Sequence, residues 1–301
     1  MKPMRHVVTL IAALFSAAVS GAQSLPLPKH TPVPGGIAVI ELDTISAARP
    51  TAHYQSKRVM VLGDAGHWRA IVGIPLETPP GEQSLEISIP NGATQHVAFS
   101  VQAKEYETQH LNITNKRMVE PTAKDLLRIE KETKIIQKAL RHFSEADQVP
   151  LDFATPVHGP LSSPFGLRRV FNNQPRKPHS GLDLAAPKGA PIKAPAAGTV
   201  IAVGNYFFNG NTVALDHGQG LISMYSHLDR IKVKEGQHVA LGTLLGTVGM
   251  TGRVTGPHLH WTISLNDTRI DPMLLFSEQT LTQWPAPKKP AVPPSESHDP
   301  K

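Results

Sequence analysis

Hydrophobic positions along the chain form three successive patterns, each predicting a different kind of element. The first is one apolar run, Val7 to Val19, preceded by Lys2 and Arg5 and followed by the small residues Ser20 and Ala22. It is shorter than the ~20 apolar residues that span a bilayer. Its basic start and small-residue end predict a secretory signal peptide over residues 1–22, cleaved near Ala22. Nothing else in the sequence is apolar enough to cross a membrane, so the mature chain is expected to have no transmembrane segment. LPLPKHTPVPGG follows, and its prolines predict an extended linker over 23–36.

The second pattern consists of short runs rich in β-formers: IAVIEL, RVMVL, WRAIVGI, SLEISI and HVAFSV, with Asp64-Ala65-Gly66 and Asn91-Gly92 as turn signals. They predict a small β-rich domain over 37–120. The third is a helical period. In PTAKDLLRIEKETKIIQKALRHF the residues Leu126, Ile129, Ile136, Leu140 and Phe143 recur at helical spacing, and Thr122 with Asp125 resembles a capping box. One amphipathic connecting helix is expected within 121–143, from about Lys124 to His142, its apolar stripe a packing face. Pro150, Pro156 and Pro160 then mark a linker over 144–160. The β-type runs return over 161–276 as TVIAV, NTVALDH, LISMYSHL and HLHWTISL. The last stretch, 285–301, has six prolines and little to bury, and predicts a disordered tail. The fold class expected is mainly β: an antiparallel sheet domain preceded by a smaller β-rich domain and one helix.

Composition narrows the function without naming it. With 40% hydrophobic and 18% charged residues, a chain of 301 residues is long enough for two folded domains. It contains no cysteine, which excludes disulfides and a lipid-modified cysteine after the signal. Removing Lys2 and Arg5 lowers the formal charge from +6 to +4, a mildly basic surface that suits anionic wall polymers. Nucleic acid is not an expected partner, since no basic run is interleaved with aromatics and aromatics make up only 5%.

The chemistry concentrates in histidines. His179 and Asp183 stand four apart in KPHSGLDLAAPKG, where Pro178 and Gly181 argue for a loop or strand end rather than a helix. His258 and His260 are separated by one residue inside a β-type run, so both imidazoles project from one face. His227 lies near the end of another run. A catalytic zinc takes three protein ligands and keeps one position open, so four histidines and an aspartate leave two side chains for proton transfer and charge stabilisation. No HExxH supplies a glutamate base, which leaves that task to the surplus histidines. Nothing in the spacing of Thr251, Arg253 and Thr255 assigns them to substrate.

In this order the motifs SSPFGLRR, HSGLDLAAPKGAPIKAPAAGTV, GNTVALDHGQGLISMYSHL, EGQHVALGTLLGTVGMTG and TGPHLHW, from about Leu161 to Phe276, resemble the lysostaphin-type (LytM-type) zinc metalloendopeptidases of bacterial cell walls. Position by position, the resemblance implies His179, Asp183 and His260 as ligands of one Zn2+, and His227 and His258 as catalytic histidines. It implies hydrolysis of peptide crosslinks of peptidoglycan, most often the D-alanyl–diaminopimelate bond, by a periplasmic or secreted enzyme. The expected partners are peptidoglycan stem peptides and crosslinks, with room for a regulatory protein. The N-terminal half resembles the accessory domain of Gram-negative members and is in a position to cover the groove. The competing reading is a non-catalytic LytM-like protein that binds peptidoglycan or activates an amidase; such relatives typically lack some of the five residues, and this chain has all of them.

Overall fold

In the computed structural model, residues 27–284 are described, apart from 91 and 114. The expected signal peptide, the expected tail and the first residue of the Asn91-Gly92 turn lie outside these residues. The described chain is mainly β and antiparallel, as the alternating and short apolar runs predict.

Six strands make the N-terminal sheet: β1 (Ile37–Leu42), β2 (Thr51–Tyr54), β3 (Lys57–Leu62), β4 (Trp68–Gly73), β5 (Gly81–Ser88) and β6 (Thr94–Val101), in the spatial order β1-β4-β3-β2-β5-β6. Side chains alternate across a strand, and in β1, β3 and β4 both faces are apolar. Ala38, Val59, Val61, Ala70 and Val72 turn to the sheet's own core with Trp68 and Tyr54. Ile37, Met60, Leu62 and Ile71 turn the other way and join the main core of the C-terminal half, beside Leu265 and Ile270. The two halves are therefore built around a shared apolar layer.

Next come β7 (Thr108–Leu111), a 3-10 turn at Lys116–Met118 and the helix α1 (Ala123–Leu140). Thr122 caps α1: its Oγ1 accepts from the Asp125 amide at 3.3 Å, and the Asp125 carboxylate accepts from the Thr122 amide at 3.1 Å. This is the expected capping box, but the apolar stripe is used unevenly. Ala139 and Leu140, with Ile136, pack on Ala214, Ile222 and Met224, whereas Leu126 is 54% exposed.

The C-terminal half holds β8 (Leu161–Ser163), β9 (Arg168–Phe171), β10 (Gln174–Pro175), β11 (Leu182–Ala185), β12 (Pro191–Lys193), β13 (Gly198–Tyr206), β14 (Gly210–Asp216), β15 (Leu221–Ile231), β16 (His238–Val239), β17 (Leu244–Val248), β18 (His258–Leu265) and β19 (Thr268–Ile270), closed by α2 (Glu278–Gln283). Its principal sheet runs β16-β13-β14-β15-β18-β11-β8. β9 and β10 form a hairpin through Asn172 and Asn173, both at positive φ (48° and 62°), a conformation asparagine tolerates. β7 pairs in parallel with β9, so a strand from the 37–120 stretch completes a sheet of the C-terminal half.

Two stretches expected as linkers have structural roles. From 27–36, Val33 is buried, the Lys29 amide donates to the Leu274 carbonyl, and the Gly35 carbonyl accepts from the Asp271 amide. Over 144–160, Val149, Leu151, Phe153 and Val157 are buried in the main core. Amide side chains tie the halves further: Asn266 bonds both polar groups of Gly73, at 2.8 and 3.2 Å, and Gln219 accepts from the Val61 amide at 3.0 Å. No helix among the described residues is long and apolar enough to cross a membrane.

Candidate metal centre and its cleft

Strand register brings the candidate ligands together. β11 and β18 are antiparallel, with Asp183 directly opposite His260 and Ala185 opposite His258, so Asp183, His258 and His260 share one face. Leu259 and Trp261 take the other face and are fully buried. His179 lies on the loop before β11 and is nearly inaccessible, its side chain 1% exposed. Gly181 makes this approach possible, since a Cβ there would lie 2.4 Å from the Trp261 carbonyl oxygen.

His227 reaches the same face by a different route. Tyr225 pairs with Trp261 and Ser226 with His260, so unbroken alternation would put His227 with Tyr225, in the core. Instead the β14–β15 register shifts between Asn211 and Val213, leaving Ser226 and His227 opposite Thr212 alone. His227 takes φ +67°, and its amide donates to the Asn209 carbonyl at 2.8 Å. This bulge turns the imidazole onto the polar face, with ring centroids 5.0 Å from His258 and 5.9 Å from His260. Left-handed backbone at a non-glycine residue costs about 1–3 kcal/mol, a strain associated with functional sites.

The hydrogen bonds fix which nitrogens are bare. A carbonyl can only accept, so His179 Nδ1 donates to Pro164 O at 2.7 Å, His227 Nδ1 to Thr251 O at 2.8 Å and His258 Nδ1 to Gly256 O at 2.9 Å. The neutral form of each ring then has an unprotonated Nε2. Thr262 Oγ1, 3.0 Å from His260 Nε2, accepts the proton of the tautomer that leaves His260 Nδ1 bare.

His179 Nε2, His260 Nδ1 and Asp183 Oδ1 face one another at 2.8 to 3.0 Å. Three lone pairs at that range repel unless a cation lies among them. A tetrahedral zinc with bonds of ~2.0–2.1 Å separates its ligand atoms by ~3.3 Å, so this donor set fits such an ion, and the ligand atoms of these three residues lie close enough together that they could hold one. Without an ion, a proton on these nitrogens takes its place: burial alone would raise the Asp183 carboxyl, but the charge and hydrogen bonds of a protonated His179 and then His260 hold it well below the usual range. Arg169 fixes the carboxylate from the far side, donating to Oδ2 at 2.7 Å and to Ser163 Oγ at 3.1 Å. Burial lowers His260 to about 4, and burial followed by the charges of His260 and His258 lowers His227 to about 3.

All five residues open onto one cleft of about 500 Å³. Its floor is the β18 face, and its walls include Phe208, Arg253, Arg176 and Lys177 from the C-terminal half, with Leu111 at the end of β7, Ile113 just after it, and Ile129 and Thr133 from α1. Arg169, Ser163 and Thr262 belong to no ligand or catalytic motif of the sequence, yet they touch the site. Their signal was their position beside the motifs: Arg169 ends SSPFGLRR, and Thr262 follows the HxH pair by two, on the same face.

Comparison with known proteins places the chain in a family. The Peptidase family M23 model matches residues 177–272, and the Peptidase family M23 N-terminal domain model matches 30–104. A solved structure from Pseudomonas aeruginosa assigned to peptidase M23 is 48% identical, with a TM-score of 0.70, over 82% of this chain and 95% of that one. The chain belongs to peptidase family M23. Among curated M23 relatives it is similar to the peptidoglycan DD-endopeptidase ShyA of Vibrio cholerae, 40% identical over 114 residues, and to the DD-carboxypeptidase/endopeptidase Mpg of Neisseria meningitidis, 38% identical over 117. These matches cover 38% and 39% of this chain but 26% and 27% of the relatives, so the chain spans about a quarter of their length.

Proposed function

We propose that this M23 protein is a zinc-dependent endopeptidase that hydrolyses peptide crosslinks of peptidoglycan, with the D-alanyl–diaminopimelate bond as its substrate. The observation that carries the reading is the convergence of three bare donor atoms beside two further imidazoles in an open cleft. In this reading His179, Asp183 and His260 hold the ion. When bound, zinc supplies a Lewis acid that polarises the scissile carbonyl and acidifies water.

The protein's own groups do the rest. Arg169 and Thr262 orient Asp183 and His260, and the Pro164 carbonyl sets the tautomer of His179. His227 and His258, each tied at Nδ1 to a backbone carbonyl, present Nε2 to the cleft. One accepts the proton of the attacking water and passes it to the leaving amine; the other, protonated, donates to the oxyanion as the carbonyl becomes tetrahedral. The peptidoglycan-directed activities for which the relatives are named, and the apolar N-terminal run, support a site of action in the periplasm or outside the cell, after removal of residues 1–22.

The test is product analysis by liquid chromatography and mass spectrometry. Purified crosslinked peptidoglycan would be incubated with the zinc-loaded protein lacking residues 1–22, beside His260→Ala. Loss of crosslinked dimers with gain of uncrosslinked stems, absent in the variant, is the expected result. An unchanged profile with the intact protein would instead support a non-catalytic binding or activating role.

A further inference from the structure

Among the described residues, two guanidinium groups in the cleft wall have no acidic partner. The Arg253 guanidinium lies over the ring of Phe208 at 4.2 Å and near that of Phe171 at 5.1 Å, and its one side-chain hydrogen bond is a long one, 3.4 Å, to the Met118 carbonyl. Arg176 donates to the next carbonyl, Val119, at 3.0 Å and to the neutral side-chain oxygen of Gln174, and its Nε is buried without a partner. Consecutive carbonyls thus hold the two cations side by side. No carboxylate lies within 4 Å of either among the described residues; nearby Glu120 accepts from Gln174 at 2.8 Å. The other arginine of this wall, Arg169, is already committed to Asp183.

Like charges placed together in a partly buried wall are unfavourable unless an anion offsets them. The arrangement is also rigid. The Arg253 amide donates to the Phe208 carbonyl at 2.9 Å, and Gly252 before it has φ +79° and no room for a Cβ, which would come within 2.5 Å of Gly210 N and Phe208 O. The rings of Phe208 and Phe171 flank the guanidinium, and apart from the long bond to Met118 its N–H groups have no side-chain or carbonyl acceptor among the described residues, which leaves donors for a carboxylate. The same loop supplies Thr251 O, which orients His227, so Arg253 stands two residues from a contact of the reacting centre.

We propose that Arg253, with Arg176 beside it, binds a free carboxylate of the substrate, the one on the residue that follows the scissile bond. This rests on the peptidase reading above. In a D-alanyl–diaminopimelate crosslink, the diaminopimelate carbon that bears the acylated nitrogen also bears a free carboxylate. A carboxylate at the same position occurs in any peptide cut by a carboxypeptidase, so one subsite serves crosslinked and uncrosslinked stems. The depressed proton affinity of Arg253, lowered to about 10 by burial and then by Arg169 and Arg176, is consistent with a cation short of counter-charge.

The experiment compares two synthetic crosslinked peptides, one with that carboxylate free and one with it amidated, on the zinc-loaded protein, R253Q and R176Q. Wild type should prefer the free acid by about 10- to 100-fold in kcat/KM, the range for a charge-assisted bidentate pair. The preference should fall to near one in R253Q and diminish in R176Q. A ratio is read because general damage to the fold lowers both rates and leaves it unchanged; a preference undiminished in R253Q would overturn the inference. In parallel, binding of the free-acid and amidated diaminopimelate tripeptide products is measured by calorimetry. If wild type cleaves both crosslinked peptides equally, the carboxylate subsite is refuted and the proposed function stands. If wild type cleaves neither, yet binds the free-acid product at least 10-fold more tightly than R253Q does, the subsite stands and the endopeptidase reading falls.

Discussion

The N-terminal and principal C-terminal sheets are both antiparallel and rich in the same aliphatic residues, yet they distribute polarity in opposite ways. On the strands β1 to β6, every buried side chain is aliphatic or aromatic. On β15 and β18 alone the buried side chains include Ser223, Ser226, His227, Thr262 and Ser264, and Asp183 lies on the adjoining β11. A sheet with apolar side chains on both faces can act as a wall, and here it covers the core of its neighbour with Ile37, Met60, Leu62 and Ile71. A sheet that turns one face to imidazoles gives up apolar burial there and must satisfy each polar atom. The lesson is that chemistry in this fold depends on a second sheet having none.

The sharpest way to break that contrast is to remove a donor from the polar face. His260→Ala should abolish stoichiometric zinc, read by metal analysis, and lower hydrolysis by more than ~10³-fold, since two ligands do not hold a catalytic ion. His227→Ala should retain zinc but reduce kcat by about 10²- to 10⁴-fold, the range for general acid–base groups. Loss of zinc in that variant would assign His227 to the ion and undo the division of roles. On the N-terminal sheet the response should be of another kind. Met60→Ala should destabilise by about 2–5 kcal/mol in denaturant unfolding with zinc content unchanged, because it opens a cavity in the shared core. The same sharing means that deleting 23–143 to uncover the cleft would strip apolar surface from the peptidase half, so a loss of activity in that truncation would report on folding.

A smaller effect separates the sheets by pH. His217 is buried, donates from Nδ1 to the Ala197 carbonyl at 2.7 Å and accepts at Nε2 from Ser223, also at 2.7 Å. Burial lowers it from 6.5 to about 4. The folded state then binds fewer protons than the unfolded chain between those values, so stability is full above about pH 6.5 and falls as the pH drops toward 4. The loss should approach about 3 kcal/mol. His217→Gln should remove that share of the stability lost between pH 7 and pH 4.5 in thermal unfolding and leave the share of His227 and His260, which burial lowers as well; an unchanged slope would place the acid sensitivity at those two.

Much of the site was legible because it follows from local periodicity. A strand's period of two puts His258 and His260 on one face whatever the rest of the chain does, and the Gly181 between His179 and Asp183 marks the close backbone approach their convergence needs. The short β-type runs and the Thr122–Asp125 cap likewise specify their elements from neighbours in sequence. What remained hidden depends on partners distant in sequence. By its parity in β15 His227 belongs in the core, and only a bulge against Thr212, held by the Asn209 carbonyl, brings it to the face of His258 and His260. The proline-rich 27–36 and irregular 144–160 look like linkers because their own residues form no regular ladder, and they become core and interface because two sheets close around them. Arg253 shows the same limit: its residue type is plain in the sequence, but the absence of a carboxylate beside it among the described residues is a property of the assembled cleft. The sequence by itself determined the donor set and the strands that carry it; the tertiary structure decided which face, which cavity and which charges stay unpaired, because each of those is settled by groups that meet only after folding.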